Sequence, residues 1–249
     1  LANEYVSELL SKKSSTNLYR IHEKPDDDRI NDLRNLLKFY GLKLEYKKNY
    51  NLIIQNVLKS MPSYNYHRVF DKMILRRMKK AKYDTVNYGH FGLALEYYTH
   101  FTSPIRRLCD LIIHSLLKMT VFKSREGDIS KNEMKRIAAQ SSERELLADE
   151  TERAVDDFNR LQFMKNKVGE DFTGIITNMN KNSIFVEFDK FPVTGVLKIS
   201  QLGDDDYVFM EERMTVAAKK TGKIFKLTDE ITVKVAQVTD DIYLGLISK

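Results

Sequence analysis

Residues 97–110 read YYTHFTSPIRRLCD, and this run predicts a helix that begins beside a bound anion. Ser103 is a favourable N-cap, and Pro104 suits the first helical position because its missing N–H has no partner there. The free backbone N–H groups and the positive end of the helix dipole would then face the anion. Arg106 and Arg107 fall in the same first turn, where cations are normally disfavoured, so the run predicts a phosphate nearby.

Asp110 lies four residues after Arg106, so on a helix its carboxylate would orient that guanidinium. A second interpretation is an ordinary surface helix start whose arginines pair with acidic residues elsewhere, because caps and arginine pairs are common. The local sequence leaves both interpretations open. In either, the helix has a predicted buried stripe made of Ile105, Leu108, Ile112, Leu116 and Met119.

The composition describes a protein with room for one or two well-packed domains. The chain has 249 residues, of which 42% are hydrophobic, and it has no apolar run long enough to span a membrane and no visible signal peptide. A single cysteine, Cys109, excludes an internal disulfide framework and indicates a reducing, cytoplasmic location. The chain starts at Leu1 inside a predicted helix, so we expect it to begin within a larger protein.

The positive charge is concentrated in one part of the sequence. The net charge of +6 divides into +8 for residues 1–166 and −2 for residues 167–249. A basic body with a nearly neutral remainder indicates a polyanionic partner that is held mainly by the body.

Two patterns of hydrophobic residues divide the chain near Asn166. Before it, apolar residues recur every three or four positions, which predicts helices. From Val168 onward, short alternating runs separated by polar turns predict strands that close into a small barrel. The predicted fold is therefore α+β and multidomain, with a mostly helical part over residues 1–166 and a five-stranded barrel over residues 167–249.

Three features have both structural and functional interpretations. A predicted helix near residues 64–80 has a basic face that could flank nucleic acid or face solvent. The acidic triplet at residues 26–28 is typical of a helix cap rather than a metal cluster. Glu152 lies in a long helix that follows a capping box at Ser130 and Glu133, and nothing nearby distinguishes it from other exposed charges.

The segments HFGLALE (90–96) and HFTSPIRR (100–107) resemble the signature of the RNB catalytic domain. This domain defines the ribonuclease R and ribonuclease II family of 3′→5′ exoribonucleases. The segment YRIHEKP (19–25) resembles a flanking family segment, and residues 168–249 are similar to the S1-type RNA-binding barrel, an OB-fold, that follows the RNB domain. The resemblance covers nearly the whole chain and is closer to ribonuclease R than to ribonuclease II.

The resemblance implies a processive, sequence-nonspecific enzyme that threads single-stranded RNA into a channel and hydrolyses it to 5′-mononucleotides with two Mg²⁺ ions. It implies that Arg106 is the catalytic arginine, which stabilises charge on the scissile phosphate, and that Glu152 lies near the 3′-terminal nucleotide. It also implies RNA contacts by His100, Thr102, Ser103, Arg107, Phe172, Phe185 and Lys198.

The chain departs from the family pattern in three places. Leu108 and Cys109 replace the family's Tyr-Pro, which removes an aromatic ring beside the arginines. In the barrel, Asn182 replaces a frequent aromatic and Lys198 replaces a histidine, so we expect weaker base stacking and an added phosphate contact. The family's cluster of Mg²⁺-binding aspartates has no counterpart, so we expect no metal ligand in this chain.

Two functions follow from these observations. In the first, the chain is the C-terminal part of a ribonuclease R-like exoribonuclease whose metal-binding aspartates lie upstream, and which degrades single-stranded and structured RNA. In the second, the chain alone binds single-stranded RNA without cutting it. The expected partners are single-stranded RNA and the upstream part of the same enzyme, which we expect to be monomeric when complete and not to bind membranes.

Overall fold

The structure is a computed structural model, and it describes residues 1–14, 16–43, 50–123 and 129–249. The described residues form six α-helices: α1 (Ala2–Lys13), α2 (Asp27–Phe39), α3 (Tyr50–Ser60), α4 (Tyr64–Arg77), α5 (Leu108–Val121) and α6 (Lys131–Lys165). They also form ten strands: β1 (Tyr19–Ile21), β2 (Lys82–Asp84), β3 (Asp171–Met179), β4 (Ser183–Phe188), β5 (Thr194–Lys198), β6 (Tyr207–Met210), β7 (Thr215–Ala218), β8 (Ile224–Lys226), β9 (Glu230–Val238) and β10 (Ile242–Ser248). Within these ranges, no helix combines the length and the hydropathy that crossing a lipid bilayer requires.

These elements form two compact units, and each unit combines two separate stretches of the chain. The first unit contains Leu1–Pro25 and Met78–Glu152, and the second contains Asp26–Arg77 and Arg153–Lys249. Helices α2–α4 therefore fold together with the strands that follow α6. The boundary predicted near Asn166 separates domains along the sequence, whereas these two units are defined by contacts in space. The predicted domain boundary therefore stays a prediction.

The first unit is built on the small antiparallel sheet of β1 and β2, in which Tyr19 lies opposite Asp84. Apolar side chains from α1, α5 and α6 pack together over this sheet. The residues of this core are Val6, Leu10, Leu18, Tyr83, Cys109, Ile113, Leu116, Met134 and Ala138.

Helix α5 buries a face that matches the predicted stripe only in part. Cys109, Ile113 and Leu116 are at most 4% exposed, whereas Leu108 is 49% exposed and Ile105 is fully exposed in the loop before the helix. Within the predicted stripe, Leu116 is buried, and Ile112 and Met119 are partly buried against the core. The prediction was wrong at Ile105 and Leu108, because it began the helix too early and so placed the end of the loop on the helical face.

The second unit contains the five-stranded closed barrel that the sequence predicted, with the strand order β10–β5–β4–β3–β9. The β10–β5 pair is parallel and the other pairs are antiparallel. A side chain at Gly174 would place its Cβ 2.5 Å from the carbonyl oxygen of Glu187, so glycine allows β3 to pass close to β4. Alternate residues of the strands fill the interior, among them Ile176, Ile184, Val186, Leu197, Val233 and Leu244.

Arg68 joins α4 to the barrel at the end of β4. Its Nε donates to Glu187 Oε1 at 3.1 Å, and one Nη donates to Asp189 Oδ1 at 2.7 Å. The other Nη donates to the carbonyl oxygens of Glu187 and Phe188 at 3.1 and 3.0 Å. Lys72, one turn later on α4, also pairs with Glu187. These two cations of the basic helix therefore bind acidic groups within the protein rather than nucleic acid or solvent alone.

We expect the substitution Arg68→Met to lower the free energy of unfolding of the second unit by about 2–3 kcal/mol, because it leaves Glu187 and two carbonyl groups with fewer partners at a largely buried position. Urea denaturation followed by circular dichroism measures this loss. Arg76→Met is the matched control, since Arg76 is exposed on the same helix. An equal effect of the two substitutions would contradict the role assigned to Arg68.

Candidate active site and nucleic-acid interface

The segment that precedes α5 is a loop, and not the first turn of a helix. α5 begins at Leu108 with Arg107 in the N-cap position, while the backbone N–H of Arg106 donates to the carbonyl of Ser103 at 3.4 Å within a turn. The backbone N–H of Ser103 donates to Asp110 Oδ2 at 2.7 Å. The prediction of Ser103 as the N-cap was therefore wrong, because a carboxylate inside the helix binds the backbone of the loop instead.

Asp110 pairs with Arg107, and not with Arg106 as the four-residue spacing predicted. Arg107 Nε lies 2.8 Å from Oδ1 of Asp110, and an Nη lies 3.0 Å from Oδ2. The Asp110 side chain is completely buried and that of Arg107 is 18% exposed. Arg107 thus anchors the loop to the helix, and its contact with RNA stays a prediction.

The side chain of Arg106 remains exposed and forms no hydrogen bond or ion pair with any other described residue. Its side chain lines an open cavity of about 450 Å³ in the first unit. Glu152 of α6 is also exposed, and it lines the same cavity. The structure therefore brings together the two residues that family resemblance selects as catalytic, although they are far apart in sequence.

The other wall of this cavity shows residues that the sequence analysis missed. Gln140, Arg144 and Asp149 lie on α6 and line the cavity together with Glu152. Gln140 and Arg144 are four residues apart and Asp149 and Glu152 are three apart, so the members of each pair are neighbours on the helix surface. Polar residues at helical spacing were therefore the signal, but α6 is so rich in charge that the signal could not be separated from a solvated face.

Arg20 connects the cavity wall to the sheet beneath it. Its guanidinium forms an ion pair with Glu145 of α6 and lies 4.8 Å from the centre of the Tyr83 ring. The backbone N–H of Tyr83 donates to Ser142 Oγ at 2.9 Å. These contacts fix α6 against β2 and so determine which of its side chains reach the cavity.

His100 lies in a group of half-buried aromatic side chains next to the loop. The Tyr83 hydroxyl and His100 Nδ1 share a hydrogen bond of 2.7 Å, and the centre of the Tyr98 ring lies 5.8 Å from that of the imidazole. Burial, together with the charges of Arg107 and Arg20, lowers the pKa of His100 to about 4. The imidazole is therefore neutral at pH 7 and adds hydrogen-bonding and stacking capacity, but no charge, to the predicted RNA contact.

Gly92 packs closely against His22 and His90. A Cβ at Gly92 would lie 2.8 Å from His22 Nδ1, which accepts a hydrogen bond from the Gly92 N–H at 3.1 Å. Burial lowers the pKa of His90 to about 4 as well.

Among the remaining predicted contacts, Thr102 is exposed and Ser103 is half-buried.

The barrel places its three predicted RNA contacts in different environments. Phe172 is 5% exposed and packs against Phe188 and Phe191, with ring centres 5.2 and 5.3 Å away. Phe172 therefore belongs to the core and cannot present its ring to a base, which corrects the prediction. Phe185 is half-exposed on the outer surface, and Lys198 is exposed.

The acidic residues of the described ranges do not form a metal-binding cluster. Within the ranges that the structure describes, no three side chains of His, Cys, Asp or Glu converge as metal ligands. In the triplet 204–206, the Asp205 carboxylate accepts hydrogen bonds from the N–H groups of Lys220 and Thr221 at 2.9 and 2.8 Å, which lower its pKa to about 2. This carboxylate holds a turn together, so the residues present do not fit the Mg²⁺ pair that the family resemblance implies.

Comparison with known proteins agrees with this architecture. A family model described as the RNB domain matches residues 1–123, and one described as the S1 RNA binding domain matches residues 165–244. The chain belongs to the RNB family. Its members that resemble this chain include ribonuclease R from Aquifex aeolicus, which is 37% identical over 243 residues, covering 96% of this chain and 34% of the relative.

Solved structures of the RNB family show the same fold. The apo form of Mycoplasma genitalium RNase R has a TM-score of 0.90 and 28% identity, covering 99% of this chain and 40% of that one. The same enzyme in complex with ribose methylated single-stranded RNA has a TM-score of 0.89 and 27% identity, with the same coverage. The chain spans about a third of the length of the curated relatives it matches.

We expect Arg107→Met in this RNB-family chain to lower the free energy of unfolding of the first unit by about 2–4 kcal/mol, since it leaves the buried Asp110 carboxylate without its ion-pair partner. Arg106→Met is the control, and it should change stability by less than about 0.5 kcal/mol because Arg106 is exposed. Chemical denaturation of both variants measures the difference. A large loss for the Arg106 variant would show that the two roles are assigned wrongly.

The first unit should lose stability as the pH falls from about 6.5 towards 4. His100 has a lowered pKa in the folded state, so the unfolded chain binds a proton more readily over this interval and acid favours unfolding. We expect the melting temperature of His100→Gln to depend less on pH in this window than that of the unaltered chain. His67→Gln, at a histidine of the second unit, is the control for the first unit. If the melting temperatures of all three proteins changed equally with pH, the assignment to His100 would be refuted.

Proposed function

We propose that the chain is part of a processive 3′→5′ exoribonuclease of the ribonuclease R type that hydrolyses single-stranded and structured RNA to 5′-mononucleotides. The observation that carries this proposal is the shared cavity of Arg106 and Glu152. Both side chains are exposed, and neither has a partner among the described residues. They are therefore available to a ligand without breaking any contact within the protein.

The two groups suit different parts of a nucleotide. A guanidinium donates several hydrogen bonds in a plane and matches a phosphate, so Arg106 is proposed to stabilise the charge that develops on the scissile phosphate. A carboxylate only accepts hydrogen bonds and repels phosphate, so Glu152 is proposed to bind the ribose hydroxyls of the 3′-terminal nucleotide. This division places the scissile group near Arg106 and the terminal sugar near Glu152.

Hydrolysis needs groups beyond these two. In the proposed complete enzyme, Mg²⁺ would supply an activated water and stabilise the leaving oxygen. The described residues do not provide its ligands, so we propose that another part of the enzyme holds it. The complete enzyme is further proposed to act as a monomer in the cytoplasm, with Cys109 as a buried free thiol.

A second function is favoured by the same lack of metal ligands among the described residues. In it, the 249-residue chain by itself binds single-stranded RNA through the S1 domain and the cavity, and does not cut the RNA. The two functions predict different behaviour for the isolated chain and for the complete enzyme.

The test uses uniformly labelled single-stranded RNA with Mg²⁺ and measures release of labelled 5′-mononucleotides. We expect the isolated chain to bind the RNA without hydrolysis and the complete enzyme to hydrolyse it. In the complete enzyme, Arg106→Met should lower turnover by about 10²–10³-fold, since one group that stabilises developing charge is lost. RNA affinity should fall by less than about 10-fold, because the arginine acts mainly in the transition state.

Three outcomes would contradict these proposals. Equal losses of turnover and affinity in the Arg106 variant would make this arginine a binding contact only. Hydrolysis by the isolated chain would show that it contains the metal ligands. A complete enzyme that binds RNA but never releases mononucleotides would favour the binding function.

A further inference from the structure

The outer surface of the barrel presents a row of side chains that crosses three strands. In β4 and β5, Phe185 lies opposite Val196, and in the parallel β5–β10 pair, Tyr243 lies beside the same Val196. Inward residues alternate with these three, since the flanking Ile184, Leu197 and Leu244 are buried in the barrel interior. Phe185, Val196 and Tyr243 therefore share the outer face.

Among the described residues of the second unit, helix α4 covers one end of this outer face. Glu187, two residues after Phe185 on β4, is buried beneath Arg68 and Lys72 of α4. At the other end, Phe185 and Tyr243 are both half-exposed, while Val196 between them is 7% exposed. The two rings therefore border a small apolar floor that solvent reaches.

A cation lies beside the second ring. Lys198 follows Val196 by two residues on β5, so both point outward, and its Nζ is 4.9 Å from the centre of the Tyr243 ring. The Tyr243 hydroxyl donates to Asp240 Oδ1 at 3.1 Å, which restrains the ring. A half-exposed, restrained ring with an ammonium group at its face is suited to a base and the phosphate attached to it.

The spacing of the rings also fits a single strand. Neighbouring strands of a sheet lie about 4.8 Å apart, so Phe185 and Tyr243, two strands apart, are separated by about 10 Å. Bases of one extended strand can reach both rings across the apolar floor. Asn182, in the turn before β4, provides no ring, so Tyr243 is the aromatic group that this face adds to Phe185.

We propose that Tyr243 is a second base-stacking platform of the barrel, paired with Phe185, and that Lys198 moves from the Tyr243 ring to the adjoining phosphate when a base stacks there. This inference rests on the proposed RNA-binding function and assigns a particular residue to it. The ligand is single-stranded RNA, recognised through its bases as well as its phosphates.

The test compares two probes of equal length: a fluorescein-labelled oligoadenylate and an abasic oligomer with the same phosphates but no bases. Binding to the 249-residue chain is measured by fluorescence anisotropy in EDTA, which suppresses metal-dependent hydrolysis. Tyr243→Leu should weaken oligoadenylate binding by about 5- to 100-fold, because one stacking contact is lost, and should leave binding of the abasic oligomer unchanged.

Two variants separate the ring from other effects. Tyr243→Phe keeps the ring and removes the hydrogen bond to Asp240, so its affinity for oligoadenylate should stay within about threefold of the unaltered chain. Tyr64→Leu removes a tyrosine that is 77% exposed on α4, outside the row, and should not change binding.

Each result tests either the proposed Tyr243 platform or the proposed RNA-binding function. If the unaltered chain and Tyr243→Leu bind oligoadenylate equally, the platform is refuted while RNA binding stands. Equal losses for both probes, or for Tyr243→Leu and Tyr243→Phe, would also refute stacking, because they point to phosphate contacts, to folding or to the hydroxyl. Failure of the unaltered chain to bind oligoadenylate would overturn both the platform and the proposed binding function.

Discussion

The ion pair between Arg107 and Asp110 sets the geometry of the candidate active site. A fully buried carboxylate is tolerated only when it is paired and hydrogen-bonded. Asp110 satisfies this condition with the Arg107 guanidinium and the Ser103 backbone N–H, both from the loop that precedes α5. Because these contacts hold the loop at its two ends, the residues between them form a turn, and Arg106 stays exposed at the cavity.

Ion pairs within the protein also change what the net charge of +6 means. Arg20 binds Glu145, Arg68 binds Glu187 and Asp189, and Arg107 binds Asp110. Each of these arginines has a side chain less than a fifth exposed, so its charge is largely neutralised where it lies. The positive groups available to a polyanion are therefore fewer than the sequence count, and exposed residues such as Arg106 and Lys198 matter more than the total.

On the outer face of the barrel, contacts within the protein likewise determine which side chains a ligand can reach. At the Glu187 end, α4 covers the strand and its cations satisfy the acidic groups. At the Phe185 end, the register of β4, β5 and β10 leaves aromatic rings at the surface. Phe172 is not at the surface, because its side chain points from β3 into the core, where it packs against Phe188 and Phe191.

Local patterns in the sequence were sufficient for most of the helices and for the barrel, but not for the short strands β1 and β2. Helix periodicity, the acidic start of α2, the capping serine before α6 and the alternation after Val168 each depend on neighbours within a few residues, so they could be predicted. Family resemblance, and not periodicity, selected Arg106 and Glu152. The start of α5, the partner of Asp110 and the burial of Phe172 depend on residues that meet only after folding. Only the tertiary structure could decide these, because the cost of leaving a carboxylate or an aromatic ring in the wrong surroundings is determined by burial, and burial is a property of the folded chain.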